Sequence, residues 1–194
     1  VYLNIISKQE LIIAKKHEQS NLSAGTLKNV FAFFCLGSVL YIFVSLVSYS
    51  PLDPSLSSVS SLSKSIENLG GPFGAYLSDA LFSIVGIGAY LFLLIISFLA
   101  VKLLFFYRPS DRTHKIIKIT SAIFLLGSFS SLSEFYYSGD LFPQSSSGGL
   151  MGALIFTNLS NIFGVVGSLI FIVIFFLASI SLTFSFSWLS VLDA

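Results

Sequence analysis

Residues Gly70–Gly86 read GGPFGAYLSDALFSIVG, and residues Gly148–Gly164 read GGLMGALIFTNLSNIFG. The stretches lie 78 residues apart. They match without a gap at Gly70/Gly148, Gly71/Gly149, Gly74/Gly152, Ala75/Ala153, Leu81/Leu159, Ile84/Ile162 and Gly86/Gly164, 7 of 17 positions. A repeat of this kind sets the architecture, because each copy is one structural unit. Each copy opens on a Gly-Gly turn. In the first, Pro72 suits the first helical position, with its φ already fixed. An amphipathic stretch follows, expected at about 72–85 and 150–163. In the first copy Phe73, Tyr76, Leu77, Ala80, Leu81 and Ile84 share one face, with Ser78, Asp79 and Ser83 elsewhere. In the second, Met151, Leu154, Ile155, Leu159 and Ile162 are set against Thr157, Asn158 and Asn161. Glycines then recur, Gly86 and Gly88 in one copy, Gly164 and Gly167 in the other, before a uniformly apolar run begins.

Length explains why the glycines matter. One helix from Pro72 to Phe106 would be about 50 Å long, whereas the hydrocarbon layer of a membrane is about 30 Å thick. The expectation is a break at the glycines, with each amphipathic part at the outer surface of the membrane. The alternative is one straight, tilted helix that projects beyond it. Two helices per copy give both copies the same orientation, with their symmetry axis along the membrane normal.

The composition requires a membrane. Of 194 residues, 55% are hydrophobic and only 10% charged, with mean hydropathy +0.91. A soluble domain carries about 25% charged residues. Ten Lys and Arg against nine Asp and Glu leave a formal charge of +1, without the basic surplus of a nucleic-acid-binding face. The single cysteine, Cys35, excludes an intrachain disulfide and a Cys-based metal cage.

Gaps between charges mark the spans, expected at about 30–49, 87–106, 116–133 and 165–184, within a membrane domain at 29–189. The first is too long for a signal-peptide core, and Tyr49-Ser50-Pro51 is a poor cleavage context. The third is short between Lys118 and Glu134 and needs Lys118 to snorkel; the alternative is an interfacial helix. Charge argues for the span. Lys8, Lys15, Lys16 and Lys28 precede the first span, within a basic segment at 1–28. Lys102, Arg108, Arg112, Lys115 and Lys118 lie between the second and third. Only Lys64 falls in the first outer loop, and the second carries Glu134 and Asp140. Basic residues near span ends stay cytoplasmic. The fold class expected is therefore all-α: an integral membrane four-helix domain with both termini inside and two tandem parallel repeats.

Catalytic signatures do not appear. There is no G-x-x-x-x-G-K-[ST] and no H-E-x-x-H. His17 and His114 sit in basic cytoplasmic segments. Glu134 reads as a solvated helix cap and Asp79 as a residue on a solvent-facing side. Gly164 and Ser168 form a Gly-x-x-x-Ser pair of the kind that lets helices pack closely. Neither catalytic, cofactor-binding nor metal-ligating residues are expected.

The residues after the first span resemble a known family. Leu46-Val47-Ser48-Tyr49-Ser50-Pro51-Leu52-Asp53-Pro54-Ser55 looks like the LSYSPxDPS motif in the N-terminal membrane domain of FtsK-type (FtsK/SpoIIIE family) DNA translocases. Asn68-Leu69-Gly70-Gly71-Pro72-Phe73-Gly74-Ala75-Tyr76-Leu77-Ser78-Asp79 resembles that family's segment before its second span. Gly148-Gly149-Leu150-Met151-Gly152-Ala153 and the ending Leu182-Thr183 to Ser187-Trp188-Leu189 also fit, while Ser181 stands where the family often has glycine.

The resemblance implies a four-helix anchor for a hexameric, ATP-driven DNA motor at the division septum of the bacterial inner membrane. It implies the bilayer, other cell-division membrane proteins and further copies of the chain as partners. DNA, ATP and Mg would belong to a motor beyond Ala194, reached through a linker that starts at 190–194. The chain lacks an initial Met and stops without a polar tail, so the expectation is a membrane fragment of a longer protein. A different class of function, a small transporter or channel subunit, is suggested by the repeat and the glycine-interrupted segments. Charge inside the bilayer would favour it, and no pair of acids or bases is expected there.

Overall fold

A computed structural model of the chain describes residues 26–27, 29–54, 66–105, 112–137 and 146–185. The basic segment with Lys8, Lys15, Lys16 and Lys28, the loop residue Lys64, Arg108, Asp140, the Trp188-Leu189 ending and the expected linker lie outside the described residues. The described residues form five helices and no strand. They are α1 (Asn29–Val47), α2 (Gly71–Val85), α3 (Gly88–Phe105), α4 (Arg112–Tyr136) and α5 (Gly149–Phe184). Helices α1, α4 and α5 are each long and apolar enough to cross a membrane. The pair α2 and α3 is apolar enough together, but bends by 108° at its break.

The break falls at Gly86 (φ 58°, ψ −135°). Its counterpart, Gly164, interrupts α5 with φ 70° and ψ 169°. Both angle pairs lie where only glycine is comfortable. The openings of the two copies also coincide. Gly70 has φ −78° and ψ 3°, and Gly148 has φ −88° and ψ −2°. Gly71 and Gly149 follow with φ 67° and 62°. The Gly71 N–H donates to Asn68 O at 2.9 Å, and the Gly149 N–H to Ser146 O at 2.8 Å.

The packing is inverted relative to a protein in water. Large apolar side chains such as Phe34, Leu94, Ile162, Val166 and Ile174 are exposed. Small polar ones are buried: Ser45, Ser78, Ser121, Ser128, Ser130, Ser131, Ser133 and Ser168. A patch of exposed apolar residues this extensive would drive aggregation in water, whereas lipid tails solvate it. With lipid outside, burying large apolar groups gains little, and helices associate through close contact of small residues. Ser45, Ser78, Ser121, Ser130, Ser131, Ser133 and Ser168 each donate to a backbone carbonyl. Ser121 Oγ donates to Ile117 O and Ser131 Oγ to Gly127 O, both at 2.8 Å. Among the described residues only Thr183 Oγ1 is buried without a partner. One apolar centre remains, where Leu46, Phe82, Val85, Ala89 and Leu93 meet; the Tyr49 ring packs on Phe82 at 4.8 Å.

Helix α2 shows the inversion directly and corrects one expectation. Asp79 does not face solvent. Its helix buries Gly74, Ala75, Ser78, Asp79, Phe82 and Val85 and leaves Phe73, Tyr76 and Ile84 exposed. The Gly164/Ser168 expectation also changes. A side chain at Gly164 would meet nothing within 4 Å, so this glycine serves backbone conformation, not close packing. Ser168 is buried but donates to Val165 O of its own helix at 2.8 Å.

The three kinds of glycine separate by substitution. Gly37→Ala meets open space at an ordinary φ and is expected to leave the thermal unfolding midpoint of the detergent-solubilised protein unchanged or raised. Gly164→Ala meets open space but a strained φ, and should cost ~1–3 kcal/mol. Gly86→Ala adds overlap with the Ser147 carbonyl to the same strain and should cost more than Gly164→Ala. Equal loss at all three positions would contradict this ordering.

Candidate functional site

The family-like motifs fold onto each other as one buried polar cluster. Helix α1 ends where Tyr49-Ser50-Pro51 turns the chain. The Asp53 N–H donates to Ser50 O at 3.2 Å, with Pro51 at the turn position its fixed φ suits. Ser50 Oγ donates to Glu67 Oε2 at 2.9 Å, and Pro54 follows directly. This turn aims the Asp53 carboxylate at the returning chain. Its two oxygens accept the Glu67 and Asn68 N–H groups, each at 2.8 Å. Asp53 is 3% exposed, so both hydrogen bonds are shielded from water.

Asn68 is the centre of the cluster. Its Oδ1 accepts the Gly70 N–H at 2.8 Å. Its Nδ2 donates to Ser45 O of α1 at 2.9 Å and to Ser78 Oγ of α2 at 3.4 Å. One amide side chain thus joins α1, the Gly-Gly turn and α2. Ser48 Oγ accepts the Leu69 N–H at 2.9 Å, and Tyr41 OH donates to Gly70 O at 2.7 Å. Tyr49 OH lies 3.4 Å from Asp79 Oδ1. The glycines make room: a Cβ on Gly70 would lie 2.5 Å from Ser45 Oγ, and one on Gly74 2.6 Å from Asn68 Oδ1.

The second copy builds a different junction from the same frame. Glu134 is not simply a solvated cap of its own helix. Its Oε2 accepts the Gly148 N–H at 3.0 Å, at the turn that opens α5. Ser130 Oγ donates to Val85 O at 2.9 Å, and the Ile87 N–H donates to Ser147 O at 2.9 Å. A Cβ on Gly148 or Gly152 would overlap the Ser130 carbonyl, and one on Gly149 would lie 2.5 Å from Gly86 N. The break of the first copy therefore seats against the opening turn of the second, backbone on backbone.

Two apolar clefts extend the correspondence to α1 and α4. One, of about 570 Å³, lies between α1 and α2 and includes Phe33, Phe34, Gly37, Ser38, Phe73 and Leu77. The other, of about 260 Å³, includes Ile123, Phe124, Gly127, Ser128, Met151 and Ile155, and is closed further by Ile172 and Phe175. The first six in each list are counterparts. A sequence signal was present: Ala32-Phe33-Phe34-Cys35-Leu36-Gly37-Ser38 matches Ala122-Ile123-Phe124-Leu125-Leu126-Gly127-Ser128 at 5 of 7 positions. Its offset is 90 residues, not 78, so an ungapped comparison hides it. Ser45 and Ser130 were likewise not singled out from the sequence, because a serine in an apolar helix carries no local mark of its partner.

This cluster holds helices and backbone; its carboxylates are occupied by N–H and O–H donors. Among the described residues no group of three or more His, Cys, Asp or Glu converges.

Removing the hub has a defined cost. Asn68→Ala strands Ser45 O and the Gly70 N–H, so a loss of ~1–3 kcal/mol is expected in detergent unfolding. Asp53→Asn replaces one acceptor by a donor facing an N–H and should cost a similar amount. Leu69→Ala, at an exposed position, is the control and should change little. Unaltered stability in the first two variants would show that the cluster does not hold the fold.

Comparison with known proteins tests the resemblance over the whole chain. A family model described as the 4TM region of DNA translocase FtsK/SpoIIIE matches residues 25–194. The DNA translocase FtsK 1 of Neisseria meningitidis serogroup A is 29% identical over 165 residues, covering 81% of this chain and 20% of that protein. The DNA translocase FtsK of Pseudomonas putida is 28% identical over 169 residues, covering 84% of this chain and 20% of that protein. That of Azospirillum brasilense is 46% identical over 65 residues, covering 33% of this chain and 10% of that protein. The chain thus spans about a fifth of the length of the first two. No solved structure matches it. The chain belongs to the 4TM membrane-region family of FtsK/SpoIIIE DNA translocases and corresponds to their membrane domain, not their motor.

Proposed function

We propose that this domain anchors an ATP-driven DNA translocase in the bacterial inner membrane at the division septum and contacts other cell-division membrane proteins there. The observation that carries the anchoring role is the inverted packing, with serines and glycines inside and large apolar side chains outside. Such a surface is committed to lipid, and several apolar spans make insertion effectively irreversible. A motor working on cytoplasmic DNA can be held in place by that insertion alone. DNA, ATP and Mg would be engaged by the motor, and further copies of this domain would gather as the motor forms its ring. Segments 51–71 and 134–149 are the surfaces proposed to meet division proteins outside the membrane.

Topology is testable first. With Cys35 removed, cysteine at Ser60 or Ser146 should react with an impermeant thiol reagent in intact cells. Cysteine at Ser110 should react only after lysis. Labelling of Ser110 from outside would overturn the arrangement with both termini in the cytoplasm. Septal targeting is tested by a fluorescent fusion ending at Ala194. It should concentrate at the division site; uniform labelling of the envelope would remove the septal part of the proposal and leave the anchor.

A further inference from the structure

The ends of α3 and α4 that carry most of the described positive charge come together. Lys102 stands in the last turn of α3, and Lys118 is in the second turn of α4. Only residues 106–111 separate the two helices, which pack against each other, and the two ammonium groups are close enough to act on each other. Both are half-buried. The Lys102 ammonium also lies 5.8 Å from the centre of the Phe98 ring, and that ring packs edge-on against Phe184 of α5 at 4.9 Å. Among the described residues no carboxylate pairs with either lysine. Arg112 and Lys115 precede Lys118 at three-residue steps on the same helix, so the positive charge continues along one side of α4.

Two ammonium groups repel, the more so where water is partly excluded. Each carries three donors and no acceptor, so they cannot satisfy one another. An anion with several acceptor oxygens placed between them relieves both problems. A phosphate group has that chemistry. The surroundings narrow its source. Leu99 and Val101 of α3 and Ile116 and Ile119 of α4 are exposed beside the pair, on the apolar surface that faces lipid tails. A soluble phosphate leaves those side chains uncovered, whereas a phospholipid covers them with its acyl chains.

We infer that Lys102 and Lys118, with Arg112 and Lys115 along the same side, form a binding site for the phosphate of an anionic phospholipid, whose acyl chains lie along Leu99, Val101, Ile116 and Ile119. The site bridges the last turn of α3 and the first two turns of α4. It requires only that the helices cross a bilayer, not that the domain anchors a motor or reaches the septum, so its failure and failure of the septal reading are separate results.

The test is the thermal unfolding of the detergent-solubilised chain titrated with phosphatidylglycerol, phosphatidylcholine or inorganic phosphate. Phosphatidylglycerol should raise the midpoint, and phosphatidylcholine should not. In the Lys102→Gln/Lys118→Gln double variant, the phosphatidylglycerol concentration for half the effect should rise by at least about tenfold. The Lys102→Arg/Lys118→Arg variant should keep the wild-type response, which separates lost charge from a fold that has failed. Lys64→Gln, in the segment of sequence between α1 and α2, should also respond as wild type. An unchanged response in the double Gln variant, or equal protection by phosphatidylcholine, overturns the site. Equal protection by inorganic phosphate or by a short DNA duplex overturns the lipid assignment.

Discussion

Everything in this bundle depends on backbones approaching where glycine leaves room. The break at Gly86 and the turn at Gly148-Gly149 touch main chain to main chain, with Gly152 against the Ser130 carbonyl. In a membrane the hydrophobic effect does not draw helices together, since lipid tails are as apolar as any side chain. What remains is dispersion at close contact and hydrogen bonds between elements. Both need small residues at the crossing. The Ser130 hydroxyl on Val85 O and the Ile87 N–H on Ser147 O are available because nothing bulkier intervenes. These bonds also satisfy carbonyl and amide groups that a helix break exposes, and leaving such groups bare in hydrocarbon would cost several kcal/mol each.

From that crossing the two copies diverge. They share the opening turn, the helix, the glycine at its end and the six counterpart residues of each cleft. The backbone at the closing glycine differs mainly in ψ, −135° at Gly86 and 169° at Gly164. One value bends α2 from α3 by 108°. At the other, α5 is kinked at Gly164, and Ile172 and Phe175 come back over the cleft between α4 and α5. A glycine at each break permits both outcomes, and contacts elsewhere select between them. The larger cleft is lined, among the described residues, by α1 and α2 alone, with no residue of α3 returning over it.

Helices were legible in the sequence because spans of this kind are announced by composition alone. The breaks were legible because length and paired glycines leave few alternatives. The direction of α2 was not. Reading Asp79 and Ser78 as solvent-facing applies the rule for helices at a water interface. Here lipid is outside, and the polar groups turn inward to partners 30 and 10 residues away in sequence, Tyr49 and Asn68. The motif residues Asp53, Asn68, Gly70 and Gly74 could be picked out by resemblance, yet what they do could not. Asp53 binds two N–H groups across a 14- and 15-residue gap, and spacing in the chain gives no hint of that closure. The wider repeat was hidden for a simpler reason, since the loop before Gly70 is longer than the loop before Gly148.

The distribution of polar groups also bears on what kind of membrane protein this is. Transport requires polar or charged groups that can face a moving substrate and then release it. In this domain the buried carboxylates of Asp53 and Asp79 and the Asn68 amide are engaged with fixed backbone or side-chain donors. Breaking those bonds to bind a passing ion would open the junction between α1 and α2 itself. Ser121, Ser130, Ser131 and Ser133 of α4 are similarly committed, to their own helix or to Val85. A bundle whose interior polarity is spent on holding its own turns is suited to keep one shape under load. An anchor that transmits force from a motor to a membrane has that requirement, and a transporter, which must exchange between two shapes, has the opposite one.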